Sequence, residues 1–225
     1  KKIIDELFIK LNSYKFRSKV EILNLSNEFV VAVLSREKFL TLENSKDVIG
    51  YTTKFREDPI YLDPRHKDLG ARLITNLEKL HLSLKLLELK SSNLDEYYSV
   101  SNKLGIPQIN TDKLQNNLFG IECNLNELNG IDFKKGCYVG QENTARIKLK
   151  DKLSKRLFPV EVIEGDLSKD NIIHHENTEL GRVLINNKFP FAIIKFKDKN
   201  FKFEKIFKCG NASVKIKKPY WFKFD

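Results

Sequence analysis

Lys134-Lys135-Gly136-Cys137-Tyr138-Val139-Gly140-Gln141-Glu142 is the stretch on which the reading of this chain turns. It holds one of three cysteines in 225 residues, with two lysines before the thiol and a glycine on each side. Gly136 predicts a turn that a residue with a Cβ would resist. Gln141-Glu142-Asn143-Thr144-Ala145-Arg146 then predicts a short helix, acid early and base late as the helix dipole prefers. Cys137 would stand near that helix N-terminus beside Lys134 and Lys135, a setting in which thiols react and anions bind. The same residues also fit a small, buried, inert cysteine, because neighbouring cations do not establish exposure.

Lys135 to Glu142, KGCYVGQE, resembles the signature KGCYxGQE of the YgfZ family. Members are folate-binding proteins similar to the T-protein of the glycine cleavage system, and they support iron–sulfur cluster assembly and maintenance. Upstream, Gly105-Ile106-Pro107, Glu122, Leu125 and Gly130-Ile131-Asp132-Phe133 follow the family's order of motifs. The segment from Asp63-Pro64-Arg65 to Leu69-Gly70-Ala71-Arg72 is similar to its DPR…LG-R element, and Pro219-Tyr220-Trp221 to the end of its C-terminal barrel. There are departures. Phe119 or Gly120 stands where proline is usual, Ile121 replaces a histidine, and Asp151 stands near a common glycine.

The resemblance implies an α+β, T-protein-like folate-binding region over 1–152, followed by a small β-barrel domain over 153–225. It implies a tetrahydrofolate-binding accessory protein whose partners are folate and iron–sulfur enzymes or assembly proteins. Cys137 would supply the reactive or redox-sensitive thiol with Lys135 beside it. Gly136 and Gly140 would shape the backbone, and Tyr138, Gln141 and Glu142 would pack or orient ligand. Glu122 falls where T-proteins meet the pterin, and a carboxylate accepts two hydrogen bonds from an aminopyrimidinone edge. A loop acid with no ligand fits Glu122 equally. Arg146 opens a basic run through Lys148, Lys150, Lys152, Lys155 and Arg156. Ile147 and Leu149 alternate with lysines there, predicting an exposed strand that is either a solvated face or a seat for the folate tail or RNA.

Two other functions fit less well. A folate-dependent aminomethyltransferase would need an aspartate from a more N-terminal part of the domain, and T-proteins carry a different sequence at KGCY. A basic RNA-binding module would need an interleaved aromatic stripe, which the chain lacks.

Composition narrows the classes. The formal charge of +10 favours negatively charged partners, or marks only a lysine-rich surface. No apolar run is long enough to span a membrane. Few, scattered cysteines predict a reducing cytoplasm, in keeping with a bacterial family, and the absence of CxxC predicts no stable cluster or zinc. His174-His175-Glu176 is a weak metal candidate, since adjacent strand residues face opposite ways. Phosphate-loop, dinucleotide, HExxH and GxSxG motifs are absent, which argues against nucleotide hydrolysis and serine hydrolase chemistry. A chain without any Met that starts at Lys1 predicts residues before it.

Periodicity predicts a helix over 2–14, a hairpin of strands 20–25 and 29–34, and a helical turn within 35–45. Asp58-Pro59 and Asp63-Pro64 predict turns around a strand at 60–62, with Arg65 pairing with Asp63. Residues 73–89 fit helix or strand, and a helix is expected from Leu94 to Gly105. Five short strands, 157–163, 181–185, 191–196, 202–207 and 212–216, predict the barrel.

Overall fold

The computed structural model describes residues 3–115, 117–138, 141–149, 153–167 and 171–223. The chain divides into two compact units, Lys1–Ser91 and Ser92–Asp225. Its architecture is mixed α/β with a six-stranded closed barrel.

The first unit carries helices α1 (Ile4–Tyr14), α2 (Arg36–Leu40) and α3 (Leu77–Leu86) with strands β1 (Val30–Leu34), β2 (Thr52–Phe55), β3 (Asp58–Leu62) and β4 (Ala71–Thr75). The strands form one antiparallel sheet in the order β1-β4-β3-β2. Alternate residues of β3 and β4 are buried. Ile60, Leu62, Ala71 and Leu73 thereby face Leu34 and Phe39 in one core, as the two-residue period of a strand requires. Pro59 lies within β3 rather than in a turn; it pairs with Lys54 of β2 just beyond the β4 ladder, which starts at Ile60, so its missing N–H breaks no bond to β4. Ser35 and Asn76 cap α2 and α3 by accepting from the N–H of Lys38 and Lys79.

The expected hairpin of 20–25 with 29–34 does not form. β1 pairs with β4 instead, Ala32 opposite Leu73, and residues 20–25 carry no strand. Asn24 turns the chain locally by accepting from Ser26 N–H, and Leu23 stays exposed. The stretch 73–89 resolves into the end of β4 followed by α3.

Asp63 is 1% exposed and anchors the turn after β3. It accepts from the Arg65 backbone and side chain and from Arg72 Nε. Gly70, which follows that turn, has φ +80°, and a Cβ there would lie 2.0 Å from the Leu34 carbonyl oxygen. Both observations give the DPR…LG-R segment a structural role.

The second unit carries α4 (Leu94–Lys103), α5 (Gln141–Leu149) and strands β5 (Arg156–Glu164), β6 (Ile172–His175), β7 (Thr178–Ile185), β8 (Phe191–Ile194), β9 (Ile206–Cys209) and β10 (Ala212–Ile216). The strands close in the order β10-β5-β8-β7-β6-β9. Phe158, Phe196, Phe201, Phe207 and Phe222 fill the interior, mostly edge to face. β6 is a sixth strand beyond the five expected; two isoleucines and two histidines give it a weak strand signal. Glu204 takes φ 63°, so the expected strand 202–207 begins only at Ile206.

The basic run does not form an exposed strand. Its first residues extend α5 to Leu149, residues 150–152 lie outside the described residues, and Arg156 is half-buried and paired with Glu127. The first barrel strand begins at Arg156, while the compact unit that holds it starts at Ser92, because chain before the barrel packs on it. Trp221 Nε1 donates to the Leu104 carbonyl at 2.8 Å. Gly105, at φ +71°, lies so close to Pro219 that a Cβ would meet its Cγ at 2.6 Å. The Gly105-Ile106-Pro107 and Pro219-Tyr220-Trp221 motifs thus meet.

Burial pushes the Asp63 carboxyl up, but the Arg65 and Arg72 hydrogen bonds outweigh it and hold the group below the usual carboxylate range. Such a group stabilises the fold fully above its unfolded value, about 3.9, and the gain is lost as pH falls through the lower folded value. Asp63→Asn should therefore cost about 2–3 kcal/mol at neutral pH, discounted for the partly exposed arginines. Urea unfolding of both proteins should show this gap closing as pH falls below 4; an equal gap at both extremes would contradict it.

Candidate functional site

The Cys137 loop is fastened at both feet. On the near side Ile131 and Phe133 pack against the barrel core. Asp132 Oδ1 then accepts from Lys134 N–H at 2.8 Å and turns the chain outward. Lys134, Lys135, Gly136 and Cys137 are exposed. On the far side the chain returns through α5, whose Ile147 packs on the same core. The Lys148 ammonium lies 3.6 Å from the Phe133 ring centroid and ties the two feet together.

Within the loop, Lys135 Nζ sits 4.4 Å from the centroid of Tyr138. Tyr138 N–H donates to Gln141 Oε1, and Gln141 N–H returns the bond to the Tyr138 carbonyl. Lys135, Tyr138 and Gln141 therefore form one connected group. Glu142 and Arg146 form another, paired one helical turn apart on α5. Gly140 lies outside the described residues. Gly136 does not carry the predicted special turn: its φ is not left-handed, and a Cβ would meet nothing within 4 Å. A side chain at this position would extend into open space.

The three thiols differ in access. Cys209 is buried in β9. Cys123 is half-buried, and burial, with the Glu122 charge adding to it, pushes its thiol up to about 11. Cys137 is exposed, which removes the reading of it as an inert core residue.

Glu122 belongs to a second segment, the run of turns from Gly120 to Asn129. Its Oε2 accepts from Phe119 N–H at 2.9 Å, and its carbonyl accepts from Leu157 N–H of β5. Among the described residues no hydrogen bond or ion pair joins Glu122 to Arg146 or to the Cys137 loop. The sequence reading missed what holds this segment. Asn124, fully buried at φ 62°, donates to the Leu157 carbonyl and accepts from Arg156. Arg156 also pairs with Glu127 at 2.6 Å and lies over the Phe196 and Phe222 rings. Only the tolerance of asparagine for the left-handed region could have pointed to Asn124.

Among the described residues, no three His, Cys, Asp or Glu side chains gather as a metal site. His175 instead contacts Lys205 Nζ and the Phe207 ring.

Comparison with known proteins supplies a function-bearing likeness. No family model matches the chain. A Dictyostelium discoideum protein is 30% identical over 76% of this chain and 42% of its own length. A Mus musculus protein is 33% identical over 72% of this chain and 43% of its own. A Homo sapiens protein is 35% identical over 45% and 28%. Each is named iron–sulfur cluster assembly factor IBA57, or its homologue. These relatives are iron–sulfur cluster assembly factors. The chain spans less than half the length of each IBA57 protein. All three are named mitochondrial and come from eukaryotes, which overturns the expectation of a cytoplasmic protein.

Limiting iodoacetamide at neutral pH should modify Cys137 first, Cys123 much more slowly and Cys209 only on unfolding. Peptide mass mapping reads the order, and early modification of Cys123 or Cys209 would contradict the assigned burial. Gly136→Ala should leave the thermal midpoint within about 1 °C, since the substitution meets no atom and relieves no strain.

Proposed function

We propose that this protein serves iron–sulfur cluster assembly or maintenance by presenting Cys137 to iron–sulfur enzymes or assembly proteins, and that it binds tetrahydrofolate. The observation that carries the first part is an exposed thiol on a loop fastened at both feet, in a chain whose relatives are IBA57 assembly factors. Packed ends limit the reach of the thiol, and exposure lets a partner's iron reach it; thiolate is the form that ligates iron or oxidises.

Folate binding rests on the T-protein-like reading of 1–152. The residues present fit it in chemistry. Glu122 uses Oε2 on Phe119, and among the described residues its Oε1 has no hydrogen-bond donor, so it could take one from a pterin. Arg146 lies on the exposed surface of α5, where an anionic tail could exchange for Glu142. Bound tetrahydrofolate would supply a one-carbon-carrying pterin; the residues here only bind and orient it.

Two experiments test these parts separately. Cys137→Ala should fold with an unchanged melting temperature yet fail to restore iron–sulfur enzyme activity in cells lacking the protein. Full restoration by the folded variant would reject the thiol's role. In calorimetry, the wild-type chain should bind tetrahydrofolate and Glu122→Gln should bind it about tenfold more weakly, the scale of one charge-assisted hydrogen bond. Unchanged affinity would remove Glu122 from the site.

A further inference from the structure

The second unit contains a cleft of about 760 Å³ that holds none of Cys137, Glu122 or Arg146. It lies between the C-terminal end of α4, the outer side of β5, the β7–β8 turn and the residues after β10. Its volume is in the range of small-molecule sites, about 300–1,000 Å³.

The lining is rich in donors. The carboxamide nitrogens of Asn102 and Asn187 are both buried and bonded to nothing in the described chain. For Asn187 the identity of that atom is fixed: Oδ1 accepts from Phe189 N–H at 2.7 Å, so Nδ2 is the donor left over. A buried donor without an acceptor costs free energy that a bound acceptor restores. Four lysines also line the cleft, against the two carboxylates Glu161 and Asp166. Lys217 is engaged by Glu204 and Glu161, and Lys188 by Asp95. Lys103 and Lys218 have no carboxylate partner among the described residues. Lys218 lies over the Phe203 ring, with its ammonium 5.8 Å from the centroid.

Unpartnered amide donors together with unpaired ammonium groups call for acceptor oxygens bearing negative charge. We propose that this cleft binds a small oxyanionic metabolite, carrying phosphate or carboxylate groups, through Asn102, Asn187, Lys103 and Lys218. Phosphate and carboxylate share this chemistry, and titration separates them.

The test is a ¹⁵N-resolved titration of the full chain with inorganic phosphate and, separately, citrate, at constant ionic strength set with chloride. The side-chain amides of Asn102 and Asn187 should shift and saturate with at least one of the two, and the one bound more tightly names the class. Asn187→Asp keeps an acceptor for Phe189 N–H but puts negative charge in the cleft, and should weaken binding tenfold or more. Lys103→Ala with Lys218→Ala, both at exposed positions, should weaken it similarly without unfolding the barrel. Absence of saturable shifts with either anion overturns the proposal. So do shifts spread over surface lysines that Asn187→Asp leaves unchanged. Neither outcome touches the role of Cys137, which is read from a different loop.

Discussion

Asn124 donates to the Leu157 carbonyl and accepts from Arg156, whose guanidinium also holds Glu127. These bonds fasten the turns from Gly120 to Asn129 onto the first strand of the barrel. Polar groups taken out of water must be paired, and this cluster pairs an irregular segment that has no ladder of its own. Arg156 also sets its guanidinium over the Phe196 and Phe222 rings, so the polar cluster and the aromatic interior share one residue. The segment that follows, with Ile131 and Phe133 against the core, therefore leaves the barrel from a defined place.

That fastening is what gives the exposed loop its meaning. A thiol on a free chain end would sample many orientations, and a partner would have to order it at an entropic cost. Here both feet are packed on the barrel core, and Lys148 bridges α5 to Phe133. What is left outside is short, cationic and open around Gly136. The first unit is held by a parallel device: Asp63, buried, gathers Arg65 and Arg72 at the turn after β3.

Local signals made much of this legible from residues alone. The Leu94 helix with Gly105 at its end, the Asp63–Arg65 pair, the helix after Gly140 and most barrel strands carry caps, turns or alternation that survive without tertiary context. The failures share a cause. Val20–Leu25 alternates well enough for a strand, but a strand exists only with a partner, and β1 takes β4. Ile147 and Leu149 fit period two over three residues, while α5 continued through them. Arg156 read as one more surface base, since nothing local announces that Asn124 and Glu127, about thirty residues earlier, will surround it. Exposure of the thiol in the KGCY stretch depends on packing at residues 131, 133 and 147, which the stretch's own composition does not contain.

The 120–133 segment and α5 belong to the barrel's cooperative unit, while residues 134–137 stand outside it. Native-state hydrogen exchange tests this directly, because segments that open only with the barrel share its protection. Amides of Ile121 to Leu128 should exchange with the same free energy as β5, Lys134 to Cys137 should exchange fast, and Asn124→Ala should free the segment while β5 stays protected. Fast exchange of Ile121 to Leu128 in the unaltered protein, independent of β5, would contradict it.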